Sequence, residues 1–421
     1  MERLASELLE QKIAAPLSCP YLWKARVGES HSVKILLINY EYPPIGAGAA
    51  NATKHLAAQF LENGCEVFVL TSGFGDLLGR SVESGVVVLR CKAIRKFQAK
   101  SNIFEMLSFV VSGGWSICTG RIGKRFDVVI VFFSLPCGPL GLLLKYLFKT
   151  PYIVSLRGGD VPGLESSVGR IHKLLSPIRR VVLKNALAVV ANSEGLKMAS
   201  LKADPVCDVQ VIPNGVDSDF FAPDTSVKID DGIMRYLFVG RFHAQKNLFF
   251  LLEQIQRLRE TAGDNAFDLT LVGDGPDLPG LVEFIGKHGL EKCVRLEGWS
   301  GKVELRLHYQ KADFLINPSL YEGLPNVVLE AMASGLPVIA SNVAGNRELV
   351  MDNCTGYLFD IGDAEGFHGV LKKALACGAQ ARDMGKEARL AVVQKYSWAA
   401  VASEYIRLID QRKKIAVSRR S

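Results

Sequence analysis

Nine cysteines in this 421-residue chain form no CxxC pair and no repeated spacing, and their number is odd. That argues against a disulfide framework and a cysteine-based zinc site; free thiols in a reducing cytosol are expected. The seven histidines make no HExxH or other close metal-ligand spacing. The chain opens MERLASELLE, acidic and without the apolar core of a secretory signal, so residues 1–32 are expected to be an extension before the first strand. A long uninterrupted apolar run is also missing. The most apolar stretch, 128–148, is broken by Pro136, Gly138, Pro139 and Gly141, which predicts a buried strand followed by a helix rather than a membrane span.

What is present is a globular composition, with 48% hydrophobic and 22% charged residues, in a chain long enough for two domains. The net charge of +7 is unevenly spread. Up to Asp217 there are 25 Lys and Arg against 17 Asp and Glu; from Ser218 onward the two signs nearly cancel. Clusters at Arg90, Lys92, Arg95, Lys96 and Lys100 and at Arg121, Lys124 and Arg125 read either as a solvated basic face or as attraction to an anionic membrane or a phosphate-bearing acceptor. No nucleic-acid-binding motif accompanies them, so nucleic acid is not an expected partner.

Short runs rich in Val, Ile and Leu alternate with helix-like stretches. Seven precede residue 214 (33–39, 66–70, 86–90, 127–133, 152–156, 187–192 and 209–213) and five follow it (233–240, 267–273, 294–298, 313–318 and 336–341). Such runs predict parallel strands buried on both faces. The pattern restarts after a polar linker near 214–231. We therefore expect an α/β chain of two Rossmann-like, doubly wound parallel-sheet domains facing a cleft. Their expected spans are 33–217 and 218–395, with a C-terminal helix over 396–421 free to return to the first domain.

In such sheets ligands bind beyond the carboxyl ends of the strands, and four segments there carry chemistry. In NYEYPPIGAGAAN (39–51), Gly46 and Gly48 allow close backbone approach at a helix start, where a phosphate or sugar would be favoured; a plain strand-to-helix loop reads equally well. The second strand ends Leu70-Thr71-Ser72, without the acid that a dinucleotide ribose requires, which argues against NAD. In FVGRFHAQKN (238–247), Arg241 and Lys246 suit a diphosphate leaving group in place of a divalent metal. In YEGLPNVVLEAMASGLPVIAS (321–341), Glu322 can accept from sugar hydroxyls and Glu330 from ribose hydroxyls, while Asn326, Val327 and Val328 offer N–H groups at a helix start. In RGGDVPG (157–163), Arg157 and Asp160 either face the cleft or build a turn.

Taken together, PPIGAG, IPNGVD (212–217), VGRFHAQKN, GDGP (273–276), the Glu-x7-Glu element with its flanks and TGYLF (355–359) resemble glycosyltransferase family 4, the retaining nucleotide-sugar enzymes of the GT-B fold, over nearly all of the chain after residue 32. The resemblance implies transfer of a hexose-type sugar from a nucleoside-diphosphate sugar to a glycan or lipid-linked acceptor, with retention and without metal or other cofactor. It assigns Glu330 to the donor ribose, Glu322 to the donor sugar, Arg241 and Lys246 to the diphosphate, and Gly46 and Gly48 to the loop closing over the phosphates. Many relatives carry a histidine where this chain has RGGD, so Asp160 is the expected catalytic substitute. A cytoplasmic location, with peripheral attachment to the inner membrane face through the basic half and helix candidates such as FEMLSFVV (104–111), completes the expectation. Polysaccharide or lipopolysaccharide assembly is the expected setting. A sugar-nucleotide epimerase or a non-catalytic binding protein of the same fold is the alternative. The former would need carboxylates and a histidine around the cleft; the latter would lose the Arg241–Lys246 clamp.

Overall fold

The computed structural model describes residues 32–418, apart from residues 47, 96–101, 124, 163–168, 206–207, 229–230 and 264. The expected extension and the basic residues Lys96, Lys100 and Lys124 thus lie outside the described residues, Ser32 excepted.

The first sheet contains β1 (Lys34–Ile38), β2 (Glu66–Ser72), β3 (Gly79–Glu83), β4 (Val86–Cys91), β5 (Val128–Phe132), β6 (Tyr152–Ser155), β7 (Ala188–Ala191) and β8 (Val209–Val211). Their order is β3-β4-β2-β1-β5-β6-β7-β8, all parallel except the β3–β4 pair. Its helices are α1 (Gly48–Glu62), α2 (Ile103–Cys118), α3 (Gly138–Phe148), α4 (Gly169–Asn185) and α5 (Glu194–Ala203). The second sheet contains β9 (Met234–Val239), β10 (Phe267–Val272), β11 (Val294–Glu297), β12 (Phe314–Asn317), β13 (Val338–Ser341) and β14 (Gly356–Phe359), all parallel, in the order β11-β10-β9-β12-β13-β14. Around it lie α6 (Leu248–Ala262), α7 (Leu278–Lys287), α8 (Lys302–Lys311), α9 (Asn326–Ala333), α10 (Ala344–Arg347) and α11 (Ala364–Ala376). Two more helices, α12 (Ala379–Tyr396) and α13 (Trp398–Ser418), complete the chain.

The continuous apolar runs follow from burial of both sheet faces. Successive side chains alternate across a strand, so Leu36 and Ile38 join one core while Ile35 and Leu37 join the core on the opposite face. The second sheet repeats the arrangement, with Tyr236 and Phe238 on one side and Leu237 and Val239 on the other. Each of the twelve expected runs coincides with a strand, of which β2 and β4 extend past the expected end. β3 was not expected, because its residues GRSVE are nearly all exposed and carry no apolar pattern. β14 was not expected as a strand either; its residues were read only as part of the TGYLF segment.

Between Val211 and Met234 the chain crosses from one sheet to the other, and it crosses back at Ser397. The Val216 N–H donates to the Tyr396 carbonyl at 2.7 Å, tying the two crossings together. Helix α13 then packs on the first sheet. Trp398, Val401, Tyr405 and Leu408 share a core with Ile35, Phe60 and Ile153, and the Tyr405 hydroxyl lies 2.9 Å from Ser155 Oγ.

Candidate active site

Each sheet reverses its strand order once, between β1 and β5 and between β9 and β12. Loops leaving the carboxyl ends of these strands diverge and open a crevice. The loops after β1, β9 and β12 carry the Gly pair, the Arg241–Lys246 pair and Glu322.

On the second-domain side, a short 3-10 turn at Ala244–Lys246 follows β9, capped by the His243 imidazole. Lys246 Nζ pairs with Glu322 Oε1 at 2.5 Å, with side-chain exposures of 16% and 9%. The backbone supports this pairing across the reversal: the Leu320 N–H donates to the Gln245 carbonyl and Gln245 Nε2 to the Tyr321 carbonyl, both at 2.8 Å. Beneath, a buried polar chain fixes the loop after β12. Asn317 Nδ2 donates to Asn346 Oδ1, Ser319 Oγ to Asn317 Oδ1, and Ser341 Oγ to the Ser319 carbonyl. Arg241 is exposed, with no ion-pair partner among the described residues. Its guanidinium is therefore available to a ligand anion.

From the first domain, Asn39 joins the end of β1 to α1 by donating to the Ala49 carbonyl and Thr53 Oγ1, at 3.2 and 2.8 Å. Gly46 has φ +90°, and a Cβ there would come within 2.5 Å of Glu41 Oε2. Gly48 has open space where a Cβ would point and begins α1. One glycine is thus required by the loop's own packing and the other leaves room.

That room is part of a cavity of about 540 Å³, including its mouth, lined by Gly48, Asn51 and His55 of α1, Asn214 and Asp217 of the crossing, and Lys302, Asn326 and Glu330 of the second domain. Asn326 and Glu330 lie in the first turns of α9, so helix N-termini from both domains border one space, an arrangement that favours an anion. Tyr309 of α8 donates to Glu330 Oε2 at 3.0 Å. Burial nevertheless pushes the Glu330 carboxyl up to about 7, against the opposing pull of this hydrogen bond and of Lys302. Val327 is half-buried and does not line the cavity, nor do Arg241, Lys246, Glu322 and Gly46.

His55 and Lys302 were not singled out in the sequence, and Asp217 entered only as the last residue of IPNGVD. The His55 ring stacks on Trp398 at 5.3 Å and 3° between planes, and burial holds its imidazole below the ordinary range, with Asp217 acting in the opposite direction. No local motif marks His55; only the return of the chain at Trp398 brings it to the cavity.

The expected cleft-facing role of Asp160 needs correction. Asp160 is 3% exposed, and its carboxylate accepts from the backbone N–H groups of Ser134 (2.6 Å), Arg157 (3.0 Å) and Gly158 (3.2 Å). Both oxygens are occupied in bracing the loops after β5 and β6. Arg157 turns inward as well, its guanidinium 4.5 Å from the Phe132 ring centroid and bonded to Asn214 Oδ1.

Two facing doubly wound domains, with a glycine loop at one strand reversal and a cation–carboxylate pair at the other, have the GT-B architecture. Comparison with known proteins agrees. A model described as Glycosyltransferase Family 4 matches residues 46–220, and one described as Glycosyl transferases group 1 matches 234–377. The chain is 30% identical over 306 residues to the UDP-Gal:alpha-D-GlcNAc-diphosphoundecaprenol alpha-1,3-galactosyltransferase of Escherichia coli, covering 69% of this chain and 74% of that one. An uncharacterized glycosyltransferase of Methanocaldococcus jannaschii is 26% identical over 387 residues, 89% of this chain and 97% of the other. Among solved structures, sucrose-phosphate synthase from Thermosynechococcus elongatus superposes with a TM-score of 0.72 at 22% identity, over 90% of this chain and 98% of its own, a likeness of fold alone. The chain belongs to glycosyltransferase family 4, and it is an enzyme that transfers sugar from a nucleotide sugar.

Proposed function

We propose that the protein transfers a hexose-type sugar, with retention and without a metal ion, from a nucleoside-diphosphate sugar to a glycan or lipid-linked acceptor at the cytoplasmic face of the membrane. The observation that carries the reading is the cavity in which Glu330 of the second domain faces Gly48 of the first. In this reading the ionised Glu330 accepts from both ribose hydroxyls, and the N-terminus of α9 meets the phosphates. Arg241 and Lys246 supply the positive charge that a leaving diphosphate needs, the role a divalent ion would otherwise fill. Glu322, held by Lys246, accepts from hydroxyls of the transferred sugar. As the bond from the anomeric carbon to the diphosphate breaks, a phosphate oxygen of the leaving group takes the proton of the acceptor hydroxyl, and the hydroxyl oxygen bonds to that carbon on the face the leaving group vacates. The diphosphoundecaprenol in the name of the Escherichia coli relative supports an acceptor on a lipid carrier, and with it a role in polysaccharide or lipopolysaccharide assembly.

Calorimetry of UDP, GDP, ADP and NAD against wild type and Glu330→Ala, without added metal, tests the donor site. One nucleoside diphosphate should bind, and the variant should lose about 1.5–3 kcal/mol, the worth of a hydrogen bond to a charged acceptor. Equal binding by wild type and variant, or no binding of any diphosphate, would overturn the placement.

A further inference from the structure

Helix α2 is held by a capping box: Asn102 Oδ1 accepts from the Glu105 N–H and Glu105 Oε2 from the Asn102 N–H. Its inner face buries Phe109, Gly113 and Ile117. The outer face is also apolar. Phe104 (78% exposed), Leu107, Val111 (74%) and Trp115 (64%) follow one another at helical spacing, a ridge about 16 Å long at 1.5 Å per residue. The ridge continues onto its neighbours. The Ile94 N–H donates to Ser108 Oγ at 2.9 Å, which sets the exposed Ile94 against α2. Helix α3 packs on α2, with Leu143 beside Gly114, and ends in the exposed Tyr146 and Leu147.

A solvated surface helix normally carries charge on this face, and none of these positions does. The exposed charge near the ridge is mostly of one sign. Lys92 lies two residues before Ile94, Arg121 and Arg125 follow the end of α2, and Lys149 caps the end of α3; all four are exposed, against one exposed acid among the described residues there, Asp127. Arg90 and Arg95 are turned inward onto Glu83 and Glu41, and Glu105 is buried in the capping box. Aromatic side chains at both ends of an apolar stripe, rimmed by cations, match the chemistry of a bilayer's headgroup region. No helix among the described residues is long and apolar enough to cross a membrane, so attachment would lie in the plane of the surface.

We propose that the outer face of α2, with Ile94 and the end of α3, is the surface by which this protein docks onto an anionic phospholipid bilayer. The docking gives the lipid-linked acceptor reading its physical site, and it rests on that reading only for its purpose, since adsorption needs no donor. It would hold the first domain at the level where a lipid-carried hydroxyl is presented.

The test is sedimentation of the full chain with vesicles of phosphatidylcholine alone or mixed with phosphatidylglycerol, at low and high NaCl. Three proteins are compared: wild type, Phe104→Ser with Trp115→Ser, and Arg121→Glu with Arg125→Glu. Wild type should bind the mixed vesicles and release them as salt rises, and each double variant should bind at least about tenfold more weakly. Nucleoside diphosphate binding, measured on the same samples, should be unchanged and reports that the variants are folded. If wild type ignores anionic vesicles, or both variants bind as it does, the proposal fails. It fails equally if wild type sediments as a dimer that Phe104→Ser with Trp115→Ser dissociates, because the ridge is then an interface between copies. Vesicle binding with no nucleotide bound by any protein would overturn the donor site and leave the docking surface standing.

Discussion

Lys246 Nζ and Glu322 Oε1 lie 2.5 Å apart, joining the loops that follow β9 and β12 on either side of the strand reversal. The pair has two consequences. Neither side chain is well solvated, so removing one strands the other's charge. In the proposed reaction, moreover, each faces a different part of the donor, Lys246 the diphosphate and Glu322 the sugar.

Lys246→Ala should therefore lower both stability and turnover. Chemical denaturation should show a loss of about 1–3 kcal/mol for either Lys246→Ala or Glu322→Gln, and a double variant less destabilised than the sum. Turnover of Lys246→Ala should fall about 10²-fold or more, the usual cost of losing one group that stabilises developing charge. A double variant with additive losses would mean that the two side chains are not energetically coupled.

In the proposed donor site Glu330 trades stability for binding. Its carboxyl is raised from 4.5 to about 7 in the folded chain. The folded state thus holds this proton more tightly than the unfolded state does. The stabilisation is complete below the unfolded value and is lost as pH rises through about 7. Glu330→Gln keeps an acceptor for the Tyr309 hydroxyl and has no charge to desolvate. Urea denaturation should find the variant about 2–3 kcal/mol more stable than wild type at pH 8 and close to it at pH 4.5. Donor binding should run the other way. Wild-type affinity for the nucleoside diphosphate should gain up to about tenfold from pH 6 to pH 8 over any change seen in Glu330→Gln, because ribose hydroxyls need the ionised acceptor. Parallel pH profiles in the two proteins would remove Glu330 from the donor site.

The sheets were legible in the sequence because burial on both faces leaves a run such as KILLI with no polar alternation to misread. The same reasoning could not see β3, which pairs at an edge with its side chains in water. The candidate site residues divide along a similar line. Lys246, Glu322 and Glu330 sit just past strands in segments whose spacing is local. His55 enters the cavity on the flank of α1, against a tryptophan more than three hundred residues further along the chain. Asp160 follows a strand too, yet it serves the backbone: a carboxylate after a strand is a candidate ligand only where loop amides leave it free.

The two glycines of the first loop should separate folding from binding. Gly46→Ala meets Glu41 at a left-handed backbone and should cost about 1–3 kcal/mol of stability. Gly48→Ala meets nothing within 4 Å and starts a helix, so thermal unfolding should occur at the wild-type temperature or slightly above it. Its methyl group enters the space beside the α1 N-terminus, and calorimetry should show weaker diphosphate binding in a protein of undiminished stability. Unaltered binding by Gly48→Ala would place the phosphates elsewhere.

Asp160→Asn decides between bracing and catalysis. An amide presents one oxygen where the carboxylate presents two, so its NH₂ must face either the Ser134 N–H or those of Arg157 and Gly158. A bracing residue predicts a stability loss of about 1–3 kcal/mol, from donors left buried without an acceptor. Turnover per folded molecule should then stay within about threefold of wild type, far from the 10²-fold or greater loss expected when a proton-transferring group is removed. The opposite pattern, unchanged denaturation with turnover reduced at least a hundredfold, would return Asp160 to the reacting centre and mean that the loop opens toward the cleft during catalysis.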